Sequence, residues 1–155
     1  MSEFVIKELK EMKVASVSHV GPYWELTEAF ETLVSKLQEN SITPKSAPMG
    51  LYYDNPKDVA MDQLKSEAVI EIDPGVESAT GLVVKTLLKA KVISCIYKGP
   101  YGDVGKYKIY EKIKTYTEQN SIVIDDALPL REVYLNNPGE VDTKDLETEI
   151  MFPIK

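Results

Sequence analysis

The 155-residue sequence holds one cysteine (Cys95), one histidine (His19), one tryptophan (Trp24) and one arginine (Arg131). A single cysteine excludes an internal disulfide framework and fits a reducing, cytoplasmic compartment. One histidine beside one cysteine does not make a His/Cys zinc site, so neither metal nor cofactor is expected. No apolar run approaches the roughly 20 residues of a membrane helix. The first residues, MSEFVIKELKEMK, lack a secretory signal pattern, and no membrane association is expected. Positive charge is also short: 18 Lys and Arg stand against 25 Asp and Glu, a net charge of −7. Phosphate contacts need clustered Lys and Arg, so direct nucleic-acid binding is not expected.

What is present is tyrosine, nine residues against three Phe. Aromatic surface with negative charge nearby suits a flat apolar or cationic ligand.

The chain is also written twice. Residues 4–26, FVIKELKEMKVASVSHVGPYWEL, return at 82–104 as LVVKTLLKAKVISCIYKGPYGDV, with nine identities in 23 positions. Average composition would give about one or two. The match continues with small insertions: Asn40-Ser41-Ile42 returns as Asn120-Ser121-Ile122, and Gly50-Leu51-Tyr52-Tyr53-Asp54-Asn55-Pro56 as Glu132-Val133-Tyr134-Leu135-Asn136-Asn137-Pro138. Leu64-Lys65-Ser66-Glu67 returns as Leu146-Glu147-Thr148-Glu149. Repeats over about 4–73 and 82–154 therefore share one plan within a single domain spanning 1–155. Two copies are too few for a solenoid, so a closed pseudo-twofold domain is expected.

Each copy reads as strand, strand, helix, strand, strand. Val- and Ile-rich runs at 4–9, 12–20, 82–87 and 91–98 predict strands, and Gly21-Pro22 and Gly99-Pro100 break them. Leu26, Phe30, Leu33 and Leu37 form a helical stripe within 23–39, and Ile109, Tyr110, Ile113 and Thr117 one within 103–119. Further strands are expected at 49–54, 67–73, 130–135 and 148–154. The class is α+β: one mainly antiparallel sheet with helices packed on one side and a ligand groove on the other.

Strand side chains alternate between faces. Ala68, Ile70 and Ile72, with Met49, Leu51 and Tyr53, are expected beneath the helices, as are Ile150, Phe152 and Ile154 with Val133 and Leu135. The opposite face would carry Gly50, Tyr52 and Asp54 in one copy and Glu132, Tyr134 and Asn136 in the other, with Glu67 and Glu149 on that same side. Glu132 thus stands where the first copy has Gly50, a carboxylate opposite an emptied position. Trp24 against Gly102 repeats this one-sidedness. Arg131 is expected in a surface or sheet-edge role, pointing away from Glu132, and the Lys-rich stretches 85–91 and 106–114 as solvated faces.

A duplicated module with Gly-Pro-Tyr at 21–23 and 99–101, followed by Arg-Glu-Val-Tyr-Leu-Asn-Asn-Pro at 131–138, resembles the GyrI-like small-molecule-binding domains. These are also the effector-binding domains of AraC-type and MerR-type transcription activators. The resemblance covers nearly the whole chain and implies two strand-helix-strand-strand modules around a central ligand groove. It implies for Glu132 the carboxylate that meets lipophilic cations among stacked aromatics. Tyr23, Trp24, Tyr52, Tyr101, Tyr107, Tyr110 and Tyr134, with Gly50, complete the candidate ligand set. Without DNA-binding helices, the chain reads as a sensor module standing alone.

The leading expectation is a non-enzymatic protein that senses or sequesters small amphipathic, aromatic or cationic molecules. A first alternative is a hydrolase of strained electrophiles, with Glu132 as general base and Tyr134 or Tyr52 as proton donor. A second is a protein-interaction module in the manner of gyrase inhibitors, with a protein partner.

Overall fold

Val- and Ile-rich segments take the strands, and the two amphipathic stripes take the helices. The computed structural model describes residues 4–100, 104–137 and 139–155, with 104–107 as helical backbone alone. The order is β1 (Val5–Leu9), β2 (Met12–Val20), α1 (Leu26–Glu39), β3 (Met49–Tyr52), β4 (Lys65–Glu71), β5 (Val83–Leu87), β6 (Ala90–Lys98), α2 (Val104–Gln119), β7 (Leu130–Tyr134) and β8 (Glu147–Pro153). The class is α+β, and among the described residues β1 pairs with β6, β2 with β4 and β5, β3 with β4, and β8 with β6 and β7, each antiparallel.

The chain divides into two compact units, and the division does not follow the repeats. One unit is the continuous segment Lys10–Lys89; the other joins β1 to Ala90–Lys155. In the first unit the strands lie in the order β3-β4-β2-β5, and in the second β1-β6-β8-β7. Each repeat thus gives its first strand to the other unit: β1 pairs with β6 from Val5–Ser94 to Leu9–Ala90, and β5 pairs with β2 from Met12–Leu87 to Ser16–Val83.

Within each unit one helix lies on one face of the sheet. Leu26, Ala29, Leu33 and Leu37 of α1 pack with Ala15, Ala68, Ile70 and Ile72. Ile109 and Ile113 of α2 pack with Ile93, Cys95, Ile150, Phe152 and Ile154. Each fully buried leucine or isoleucine here contributes about 1.5–3 kcal/mol. Both helices stop the same way. The Asn40 and Asn120 amides cap the Lys36 and Tyr116 carbonyls at 2.7 and 2.8 Å, and Ser41 and Ser121 follow at φ 55° and 56°. That shared end sets the helices in register, so Phe30 of α1 and Tyr110 of α2 are equivalent. Gly21 and Gly99, at φ 134° and 150°, end β2 and β6 with matching 2.8 Å bonds to the Leu64 and Leu146 carbonyls.

Candidate functional site

Strand register decides which side chains share a face. Glu132 of β7 lies opposite Ile150 of β8, and Tyr134 opposite Thr148. Across β8, Ile150 and Thr148 face Cys95 and Tyr97 of β6. Three of these residues, Ile150, Cys95 and Tyr97, belong to the core cluster under α2. Glu132 and Tyr134 therefore project toward the helix. In the other unit Gly50 faces Ala68 and Tyr52 faces Ser66, again on the helix side. The expected placement of these four residues on the face away from the helices is corrected, and Glu67 and Glu149 take that face instead. The reason is that both faces of β3 and β4 are apolar: Leu51 is buried on one and Ile70 on the other. Hydrophobicity alone could not choose between them.

Glu132 is 1% exposed, and two tyrosine hydroxyls meet its carboxylate. Tyr110 of α2 donates to Oε2, and Tyr134, two residues along β7, donates to Oε1 at 3.3 Å. The Tyr110 ring also packs against Phe152, centroids 5.7 Å apart. This is a carboxylate walled by aromatic rings beneath a helix. Burial of a carboxylate costs free energy unless its oxygens accept hydrogen bonds, which the two hydroxyls provide.

In the other unit the same positions carry Gly50 and Phe30 in place of Glu132 and Tyr110. Carboxylate and hydroxyl are lost together, leaving an apolar counterpart. The space above Gly50 is taken by the Tyr52 ring, since a Cβ there would stand 2.8–2.9 Å from its Cε2, Cζ and hydroxyl. Tyr23 meets Tyr52 edge to face, centroids 4.8 Å apart, and donates its hydroxyl to the Asp54 carbonyl at 2.7 Å. Burial pushes the Tyr23 phenol above its ordinary value; the nearby Asp54 charge adds to this, and hydrogen bonding with the Asp54 backbone opposes it.

The sequence-derived set thus forms two groups, Glu132, Tyr134 and Tyr110 in one unit and Gly50, Tyr52 and Tyr23 in the other. Trp24 sits in a short 3-10 turn beside Tyr23 and is 68% exposed. Tyr101 lies outside the described residues, as does the side chain of Tyr107. Arg131 points away from Glu132 but is buried rather than at the surface.

Sequence reasoning missed a second pair of clusters, on the faces away from the helices. Glu67 accepts from Lys85 at 2.8 and 2.7 Å and from Tyr53. Burial raises its carboxyl, but hydrogen bonds from Lys85, Tyr53 and Ser16 and the Lys85 charge outweigh this and hold it below the ordinary carboxylate value. Glu149 accepts from Lys7 and from Ser94 at 2.5 Å. Lys85 is therefore not part of a merely solvated stretch. The signal was present in the repeat, where Lys7/Lys85, Ser16/Ser94 and Glu67/Glu149 are identical. Among the described residues no group of His, Cys, Asp and Glu is arranged to hold a metal ion, and no helix is long and apolar enough to cross a membrane.

Comparison with known proteins fits this duplicated architecture. Residues 2–155 match the GyrI-like small molecule binding domain. The chain belongs to the GyrI-like family. A DNA gyrase inhibitor of Enterobacter lignolyticus is 32% identical over 157 residues, covering 96% of this chain and 95% of that protein. Among solved structures, the EcmrR C-terminal domain superposes with a TM-score of 0.84 at 19% identity, covering 100% of this chain and 98% of its own. SAV2435 bound to tetraphenylphosphonium superposes with a TM-score of 0.67 at 16% identity, covering 99% and 94%. These two likenesses are of fold. In this GyrI-like chain the buried carboxylate belongs to one repeat only, so duplication has left one polar and one apolar version of the same position.

Proposed function

We propose that this GyrI-like domain binds small organic cations carrying aromatic or aliphatic bulk, with Glu132 as the charged contact and Tyr110 and Tyr134 as flanking rings. The observation that carries the reading is a carboxylate 1% exposed and held by tyrosine hydroxyls. Attraction between unlike charges is larger in a poorly screened interior than in water, and a cation also gains from the faces of neighbouring rings. The tyrosines keep the carboxylate hydrogen-bonded while no ligand is bound. A structural neighbour of the same fold, SAV2435, is known with tetraphenylphosphonium, a cation of this class.

Titration calorimetry with tetraphenylphosphonium tests the reading. Wild type should bind, and Glu132→Gln, which keeps shape and removes charge, should weaken binding about tenfold or more. Unchanged affinity would exclude Glu132 as the contact. Turnover of a strained electrophile by wild type and not by Glu132→Ala would instead favour hydrolysis.

The 32% identity to a DNA gyrase inhibitor over 96% of the chain favours a second reading, direct association with gyrase. Co-purification of gyrase with the full chain, without any small molecule, would support it; absence of association at micromolar concentration would remove it.

A further inference from the structure

Among the described residues, one polar group beside the Glu132 cluster is left without a hydrogen-bond partner. Thr148 is fully buried, and among the described residues its Oγ1 has no hydrogen-bond partner. Thr148 lies between Tyr97 of β6 and Tyr134 of β7, on the helix side of the sheet. The two rings lean apart. Tyr97 folds over Gly99, where a Cβ would stand 2.5 Å from its hydroxyl, while Tyr134 reaches the other way to Glu132. The Thr148 hydroxyl is left between them, one residue pair along the sheet from Glu132. Diagonal neighbours of this kind are about 7–8 Å apart.

A buried hydroxyl without a partner is costly, and such groups are few in folded proteins. The other unit repeats the arrangement: among the described residues Ser66 Oγ is also unpartnered, between His19 and Tyr52. There, however, Gly50 and Phe30 replace the carboxylate and its tyrosine. The shared framework supplies a hydroxyl in both units, but a charged contact beside it only at Thr148.

We infer that the ligand is not a purely hydrocarbon cation but one bearing a hydrogen-bond acceptor, such as a carbonyl or ether oxygen, which takes the Thr148 hydroxyl while Glu132 takes the positive charge. This rests on the cation reading above and narrows its ligand class. Charge and acceptor would be separated by about 7 Å or a little less, since the Cβ atoms of diagonal sheet positions lie somewhat closer than about 7–8 Å. An acceptor that completes a buried donor is favoured strongly over an analogue lacking it, because the analogue leaves the donor unpaired.

The test uses the full chain and two matched probes, trimethyl(4-phenylbutyl)ammonium and its ketone, trimethyl(4-oxo-4-phenylbutyl)ammonium. Wild type should prefer the ketone by about tenfold. Thr148→Val, close in shape, should bind both equally with the hydrocarbon cation unaffected, and Thr148→Ser should keep the preference. A preference of wild type that survives in Thr148→Val, or no preference in wild type, overturns the inference. Absence of binding of both cations, together with tetraphenylphosphonium binding indifferent to Glu132→Gln, overturns the cation reading and the inference with it. A melting temperature of Thr148→Val at or above that of wild type is expected. A marked fall with the ketone preference intact would make the hydroxyl structural.

Discussion

Lys85 Nζ contacts both oxygens of Glu67, at 2.8 and 2.7 Å, and so joins the first strand of the second repeat to the last strand of the first. Lys7 and Glu149 make the reciprocal contact. The two pairs fasten the exchanged strands in addition to their ladder bonds and, for β5, the packing of Val84 against the core under α1.

Removing Lys85 should therefore loosen β5. Breaking a buried ion pair by deleting one partner costs about 3–5 kcal/mol, but the Lys85 side chain is 36% exposed and solvent screens part of that. Lys85→Met is expected to lose about 1–2 kcal/mol in urea unfolding. Amides of β5 should exchange faster than those of β4. An unaltered midpoint would show that the pair adds nothing to strand attachment.

Acid should release the same contact. The Glu67 carboxyl is held below its ordinary value, so its ionised form favours the folded state. That contribution is complete above the unfolded carboxylate value of about 4.3 and disappears as pH falls through the lower native value. Wild type should exceed Glu67→Gln in stability at about pH 6, and the gap should narrow toward about pH 3. Urea midpoints of both proteins across that range give the answer; a gap independent of pH contradicts the assignment.

Gly50 meets a different constraint, since any Cβ there collides with the Tyr52 ring that Tyr23 braces from its edge. Gly50→Ala should destabilise by about 1–3 kcal/mol, the usual cost of overpacking. The penalty should largely vanish in a Tyr52→Leu background, because contacting residues do not behave additively. Equal penalties in both backgrounds would place the strain elsewhere.

The element plan was legible because local signals agreed. Gly-Pro ended β2 and β6, and the stripes through Leu33 and Ile113 marked helices whose shared Asn-Ser end the structure reproduces. The facing of Glu132 was not legible, because an alternating strand tells which residues share a side without telling which side has the helix. With Leu51, Val69, Ala68 and Ile70 all buried, burial gave no preference. Strand exchange left a fainter trace. Lys10-Glu11 and Leu88-Lys89, which separate consecutive strands, lack the Gly or Asn that a tight two-residue hairpin demands. Their neighbours accordingly pair elsewhere. Glu132 itself stood out through comparison of the copies, where chemistry changed against an otherwise repeated background.

The exchange of first strands also fixes an order of events during synthesis. β1 is made before the other strands of this sheet, yet its partner β6 ends at Lys98, so the strand waits while 89 further residues are added. At bacterial and eukaryotic elongation rates this lasts roughly 5–20 s. The Lys10–Lys89 unit, by contrast, contains all its own strands and can close before β1 has a partner. The nascent chain thus carries β1 unpaired while the Lys10–Lys89 unit is already complete. Its Lys7 and Glu8 keep charge on that waiting edge, the usual protection against pairing with another chain.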